Sequence, residues 1–256
     1  MVPQKVFWGL LKFIYKTINS KENINTWIRD LNSDAKSAVS VDCVIFGYDE
    51  KELNVLSIDC NMPPHIGKKS LIGDLVKVHE TLDQAGQRIL KQRTGIEDLY
   101  MEQVSAFGNP NRHPLGRVIS IAYYSLLRIR NYEIVDNEDK HLEWIPISKI
   151  NTLAFDHNEI LSVCLSRLRK RLKERPIGFS LLPKKFTLIQ LQKLYEIILG
   201  FELDKRNFRR KLHSTELLID LNEFQQDVSH RPAKLFSFDY EKYNAKKEKQ
   251  TLKFDL

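Results

Sequence analysis

The chain has 256 residues, 42% of them hydrophobic and 29% charged, which is enough apolar material for more than one packed layer. Ten glycines and nine prolines exclude a collagen-like or low-complexity chain, and three cysteines in no paired spacing exclude a zinc ribbon or a disulfide framework. The net charge of +7 is unevenly laid: residues 1–155 carry 19 basic and 19 acidic side chains, residues 156–256 carry 21 and 14. A neutral body with a basic C-terminal part fits a ligand-sensing domain joined to a polyanion-binding one, although a solvated basic surface gives the same count.

Residues 6–18 (VFWGLLKFIYKTI) are apolar but broken by Lys12 and Lys16. They are too short for a transmembrane segment, which needs about 20 residues, and lack a cleavage site of the signal-peptide kind. A short helix packed on the body and a helix lying on a membrane surface both remain open, and residues 1–36 are set aside as an N-terminal extension. With reduced cysteines and no spanning segment, a cytoplasmic location is expected.

Ser37–Tyr48 alternates and is rich in valine, so it reads as a strand, and Leu53–Ile58 reads as the returning one. Thr81–Gly95 has the periodicity of a helix stopped by Gly95. Val104–Gly108 and Arg117–Leu127 read as strands flanking an Asn/Pro-rich loop, and Leu142–Ile147 as a further short strand. This order predicts an α+β fold for residues 37–155. Phe155–Arg175 is predicted as a linker helix over 156–175, with Asp156 placed to cap it, an apolar stripe of Ile160, Val163, Cys164, Leu168 and Leu172, and Pro176 as its stop.

Residues 176–245 hold a different pattern. Thr187 is placed to cap a helix whose Leu188, Leu191, Leu194, Tyr195 and Ile198 form one face, and Gly200 supplies the turn. Asp204 then opens a second helix in which only Phe208 and Leu212 point inward. Lys205, Arg206, Asn207, Arg209, Arg210 and Lys211 fill the rest of its circumference. This is the helix-turn-helix layout, and Lys234–Tyr240, with Arg231 just before it, suits a β-wing. Lys and Arg displace counterions from phosphates, and Arg and Asn can also read base edges. The DNA-binding candidates are therefore Lys205, Arg206, Asn207, Arg209, Arg210, Lys211, Arg231 and Lys234. Residues 246–256 remain as a tail.

No catalytic set emerges from the other motifs. The seven histidines, His65, His79, His113, His141, His157, His213 and His230, show neither HxxxH nor HExxH spacing, and no Walker loop, GxSxG or GxGxxG is present.

The segment Gly73–Ile96 (GDLVKVHETLDQAGQRILKQRTGI) resembles a Nudix box. Aligned on Glu80, it keeps Arg88, Leu90, Gly95 and Ile96, has Asp74 at the first glycine position, and replaces the three helix glutamates by Ile89, Gln92 and Arg93. Mg²⁺ demands hard anionic oxygens, and these substitutions remove three carboxylates and add a cation. The resemblance thus implies a Nudix fold without hydrolase activity and without a metal or other cofactor. The stretch Val41–Tyr240 resembles the Nudix-related transcriptional regulators called NrtR, most specifically in RVISIAYYSLL, in Phe155–His157 and in IGFSLLPKKFTLIQLQKLYE with LDKRNFRRKL. That resemblance implies a mixed-sheet α/β/α Nudix domain followed by a winged helix, and a homodimer bound to a double-stranded operator. A branch similar in its LLPKxFTLxQLQ segment responds to pentoses such as L-arabinose. Where the family often has Arg-Asp-Pro-Arg, this chain has Arg112, His113, Pro114 and Leu115, which tilts the expected effector from ADP-ribose-type ligands toward a neutral sugar. Asp74, Glu80, Arg88, Arg112 and Arg117 are the effector-binding candidates, with Arg88 and Glu80 equally readable as a structural pair. The alternatives are a metal-dependent Nudix hydrolase of ADP-ribose-type substrates with a basic accessory domain, and an RNA-binding module, for which no aromatic platform is evident.

Overall fold

The computed structural model describes residues 36–114, 116–134, 141–226, 229 and 231–249. Residues 1–35 of the expected 1–36 extension, and residues 250–256 of the expected tail, lie outside the described residues. In chain order the first part holds β1 (Ala38–Tyr48), β2 (Leu53–Asp59), β3 (Lys69–Ser70), β4 (Ile72–Leu75), α1 (Leu82–Thr94), β5 (Glu102–Phe107), β6 (Val118–Arg128) and β7 (Glu143–Pro146). These strands make one sheet ordered β3-β2-β1-β6-β5, with β4 added to β1 and β7 added to β2. The β1–β2 hairpin sets Phe46 opposite Val55, and the antiparallel β1–β4 pair sets Asp42 opposite Gly73.

From Ser40 onward β1 is buried at every position, because both faces of the sheet are covered. Val41, Cys43 and Ile45 pack with Ala85, Ile89 and Leu90 of α1. The alternate residues Val44, Phe46 and Tyr48 belong to the other core, with Ile160, Cys164 and Leu168 of α2 (His157–Glu174). The result is a sheet between two helices, as the α+β reading requires.

Local signals explain the helix ends. Thr81 and Gln84 form a reciprocal capping box at the start of α1, and Gly95 closes it at φ 75°, a left-handed conformation that glycine adopts without a Cβ clash. A second capping box, Thr187 with Gln190, opens α3 (Leu188–Leu199), and Gly200 ends it at φ 81°. The Asp204 carboxylate accepts the Asn207 N–H at the start of α4 (Lys205–Ser214). Strands β8 (Leu218–Phe224) and β9 (Lys234–Phe238) then pair as an antiparallel wing, followed by α5 (Tyr240–Glu248).

Several expectations need correction. Asp156 occupies the N-cap of α2 but makes no capping hydrogen bond; its carboxylate is taken by Arg112. Val163 is exposed, and Leu161 is buried where the stripe was expected to include Val163. Strands β3, β4 and β8 and helix α5 were not foreseen. The expected boundary at 245/246 falls inside α5.

The core around α2 does not stop at the end of that helix. Leu168 and Leu172 share one continuous cluster with Phe179, Leu191, Leu194, Tyr195, Phe208, Leu212 and Phe236. Residues Val39–Leu256 accordingly group as one unit. Among the described residues no helix is long and apolar enough to cross a membrane.

Leu168 is fully buried in the shared cluster, so Leu168→Ala is expected to cost about 2–5 kcal/mol in urea unfolding. Val163→Ala, on the exposed side of the same helix, is expected to change stability by less than about 0.5 kcal/mol.

Candidate functional site

The box residues form a closed ion-pair cluster at the start of α1. Arg88 donates through Nε and Nη2 to both oxygens of Glu80, at 2.9 and 2.7 Å, and through Nη2 to the Leu75 carbonyl. Its Nη1 reaches Asp74 at 3.5 Å and Gln92 at 3.2 Å. Arg93 stands 3.8 Å from the same Asp74 carboxylate. Hydrogen bonds from Arg88 and from the Lys77 amide hold the Glu80 carboxyl down at about 2. Ile89 is fully buried in the core, so this position offers no ligand.

Two guanidinium groups thus occupy the carboxylates that a hydrolytic metal would need, and the donor set does not fit Mg²⁺. Among the described residues no three His, Cys, Asp or Glu side chains gather as a metal site. Asp74, Glu80 and Arg88 are brought together as predicted candidates, and the structural pairing of Arg88 with Glu80 is the arrangement found.

A second constellation lies beneath this cluster, around Asp42 in the middle of β1. Arg112 is buried, and it grips Asp156 with a two-point fork, Nε to Oδ2 and Nη2 to Oδ1, both at 2.7 Å. The same Nη2 lies 3.4 Å from Asp42 Oδ2, which also accepts the Ser120 hydroxyl. His157 Nδ1 accepts the Leu71 N–H at 3.0 Å, which places the proton of the neutral ring on Nε2, facing Asp42 Oδ1 at 3.7 Å. Burial lowers the pKa of both His157 and His113, favouring uncharged rings.

Phe155 stands over this group with a left-handed backbone, φ 53°, unusual for an aromatic residue. Its ring stacks on His113 at 5.3 Å and 8° and meets His65 edge-on at 4.7 Å. Asp42, Arg112, His113, Phe155 and His157 wall a cavity of about 140 Å³, and Asp74 reaches its rim. Arg117 is not part of it; it is exposed and donates to the Gly108 carbonyl, tying the ends of the loop together.

Sequence reasoning singled out Arg112 but missed Asp42, Ser120 and the histidine pair as its companions. The available signal was Asp42 itself, a charge inside a strand that otherwise reads as apolar and covered on both faces.

At the other end of the chain, α4 buries only Phe208 and Leu212. Lys205, Arg206, Asn207 and Arg210 are exposed, while Arg209 and Lys211 are half-buried. Arg210 donates to the Asn207 side chain and so fixes the amide's orientation. On the wing, Lys234 is paired with Asp220 at 2.5 Å and Lys185 with Glu223 at 2.6 Å, so cations alternate with acids there. Arg231 precedes β9 on the exposed side of the wing.

A sheet domain sandwiched between helices, carrying a Nudix-like box with Ile89, Gln92 and Arg93 at the helix-glutamate positions and joined to a winged helix-turn-helix with a basic second helix, defines a class of DNA-binding regulator. Comparison with known proteins agrees. The NrtR DNA-binding winged helix domain matches residues 178–238. The chain is 31% identical over 210 residues to the ADPR responsive transcriptional repressor NtrR of Acinetobacter baylyi, covering 80% of this chain and 84% of the relative. It also resembles the crystal structure of Shewanella oneidensis NrtR, with 28% identity, a TM-score of 0.65 and coverage of 78% of this chain and 93% of that one. That protein complexed with a 27mer DNA matches at 27% identity and a TM-score of 0.63, over the same shares of the two chains. An ADP-ribose pyrophosphatase of Methanocaldococcus jannaschii is 32% identical over 125 residues, 48% of this chain and 70% of the relative. The chain belongs to the NrtR family, and its fold is a Nudix-like domain followed by a winged helix.

Asp42 and Asp156 are both mostly buried, at 8% and 16% side-chain exposure, and Arg112 is their shared counter-charge. Arg112→Met would leave two carboxylates facing each other in a low-dielectric site. It is expected to cost about 3–5 kcal/mol at neutral pH by denaturant unfolding.

Proposed function

We infer that this chain is a homodimeric, sequence-specific transcriptional regulator that senses a small neutral polyol, a pentose such as L-arabinose, and does not hydrolyse nucleotides. In this reading residues 37–155 sense the effector, 156–175 link, and 176–245 bind a double-stranded operator. The cavity under Phe155 carries the sugar assignment. At about 140 Å³ it lies well below the about 300–1,000 Å³ typical of sites for larger ligands. Sugar hydroxyls can donate to Asp42 and accept from Arg112 or His157 Nε2, and the Phe155 ring offers an apolar face to sugar C–H groups.

A second reading follows from the Acinetobacter relative, which is ADPR responsive by name. Diphosphate binding here would require Arg88 and Arg93 to exchange their present carboxylate partners for phosphate oxygens. A thermal-shift comparison separates the two. L-arabinose is expected to raise the melting temperature of the intact chain, and Asp42→Asn to abolish that response. Stabilisation by ADP-ribose alone would replace the sugar reading with the second. With Mg²⁺ or Mn²⁺ no ADP-ribose cleavage is expected, and turnover on the order of 1 s⁻¹ would refute the inactive assignment.

The exposed Lys205, Arg206, Asn207 and Arg210 support operator contact through α4. The wing is expected to add phosphate contacts from Arg231, and from Lys234 if that residue exchanges Asp220 for the backbone. Arg206→Ala with Arg210→Ala is expected to weaken operator binding by about 1–3 kcal/mol for each residue that reads a base, measured by gel shift. Lys205→Ala is expected to flatten the salt dependence by about one counterion. Unchanged binding in the Arg206/Arg210 double variant would remove α4 from the interface.

A further inference from the structure

A cavity of about 410 Å³ lies elsewhere, between β5 and β6 of the sheet, the end of α2, the wing strand β9 and α5. None of the residues that wall the Phe155 cavity takes part in it. Its size falls in the about 300–1,000 Å³ range of small-molecule sites, and its position between two domains is one such sites favour.

The clearest pointer is α5. This helix buries none of its residues. Its Tyr240, Tyr243 and Lys247 stand at i, i+3 and i+7, one helical face, and all three border the cavity. The two tyrosine rings gather round Phe238, at 4.7 Å and 81° and at 5.8 Å and 52°, and the Phe179 ring lies 4.4 Å from Phe238. Four rings thus form one wall, while Tyr240 remains 59% exposed.

The charges on the lining do not balance. Its one acid, Glu102, is already engaged by Arg171 Nε at 2.8 and 3.1 Å and by the Tyr124 hydroxyl at 3.3 Å. Arg175 and Lys247 also border the cavity, and neither side chain has a hydrogen-bond or ion-pair partner among the described residues. An aromatic wall with two uncommitted cations suits a flat ring bearing a negative group, which gains ring contacts and charge-assisted hydrogen bonds together.

We propose that the cavity between β5, α2 and α5 is a second ligand site, distinct from the Phe155 cavity, that takes a planar aromatic anion such as an aryl carboxylate. Its occupant touches the sheet domain and the wing at once. The site is independent of the effector reading, since it uses none of the same residues.

Titration calorimetry of the full chain tests this with 1-naphthoate and its neutral counterpart 1-naphthalenemethanol. The acid is expected to bind at a single saturable site about tenfold more tightly than the alcohol, the worth of one charge-assisted hydrogen bond. The double variant Arg175→Glu, Lys247→Glu is expected to remove that preference. Tyr243→Leu is expected to weaken both probes. Circular-dichroism melts check that each variant remains folded. No saturable binding, equal affinity for acid and alcohol, or an unchanged preference in a folded double variant would each overturn the proposal.

Discussion

The guanidinium of Arg112 is the constraint around which the sheet half of the molecule is arranged. It sits between a carboxylate in the centre of β1 and another at the first turn of α2, with little access to water. A buried charge of this kind is tolerated only when partners surround it, so three otherwise separate pieces of chain are fixed relative to one another. These are the central strand, the loop between β5 and β6, and helix α2. Two members of that charged triad, Asp42 and Arg112, wall the cavity under Phe155.

Helix α2 is tethered to the sheet domain twice. Asp156 at its start is held by Arg112, and Arg171 near its end is held by Glu102 at the edge strand. Between these points Ile160, Cys164 and Leu168 pack on β1. A ligand can alter DNA affinity only to the extent that it prefers one arrangement over another. In the proposed reading, sugar hydroxyls compete for Asp42 and for Arg112, the guanidinium that anchors the first tether, so binding acts on the element that carries the reading head.

Much of this was legible in the sequence wherever local chemistry decides local structure. The caps at Thr187 and Asp204 and the glycine stops at Gly95 and Gly200 were readable because each satisfies orphan backbone groups within a few residues. The box substitutions at Ile89, Gln92 and Arg93 were equally visible. What failed was long-range. Asp156 has the position and chemistry of a cap, yet a guanidinium 44 residues earlier in the chain outcompetes the helix N–H groups for it. Val163 fits the apolar periodicity of α2 but faces solvent. Strand β8 is mostly exposed and carries Asp220 and Glu223, so its composition reads as loop, and α5 has no apolar stripe to announce it.

The single hydrophobic cluster running from the sheet through α2 into the winged helix bears on how such proteins could be recombined. A cut at residue 176 would strip Leu168 and Leu172 of their neighbours on one fragment and bare Phe179 and Leu194 on the other, giving both pieces sticky surfaces. The DNA-binding end is therefore not a detachable cassette. A chimera that exchanges specificity would have to graft α2 along with it, and the host sheet would then need an arginine for the foreign Asp156 and an acid for the foreign Arg171.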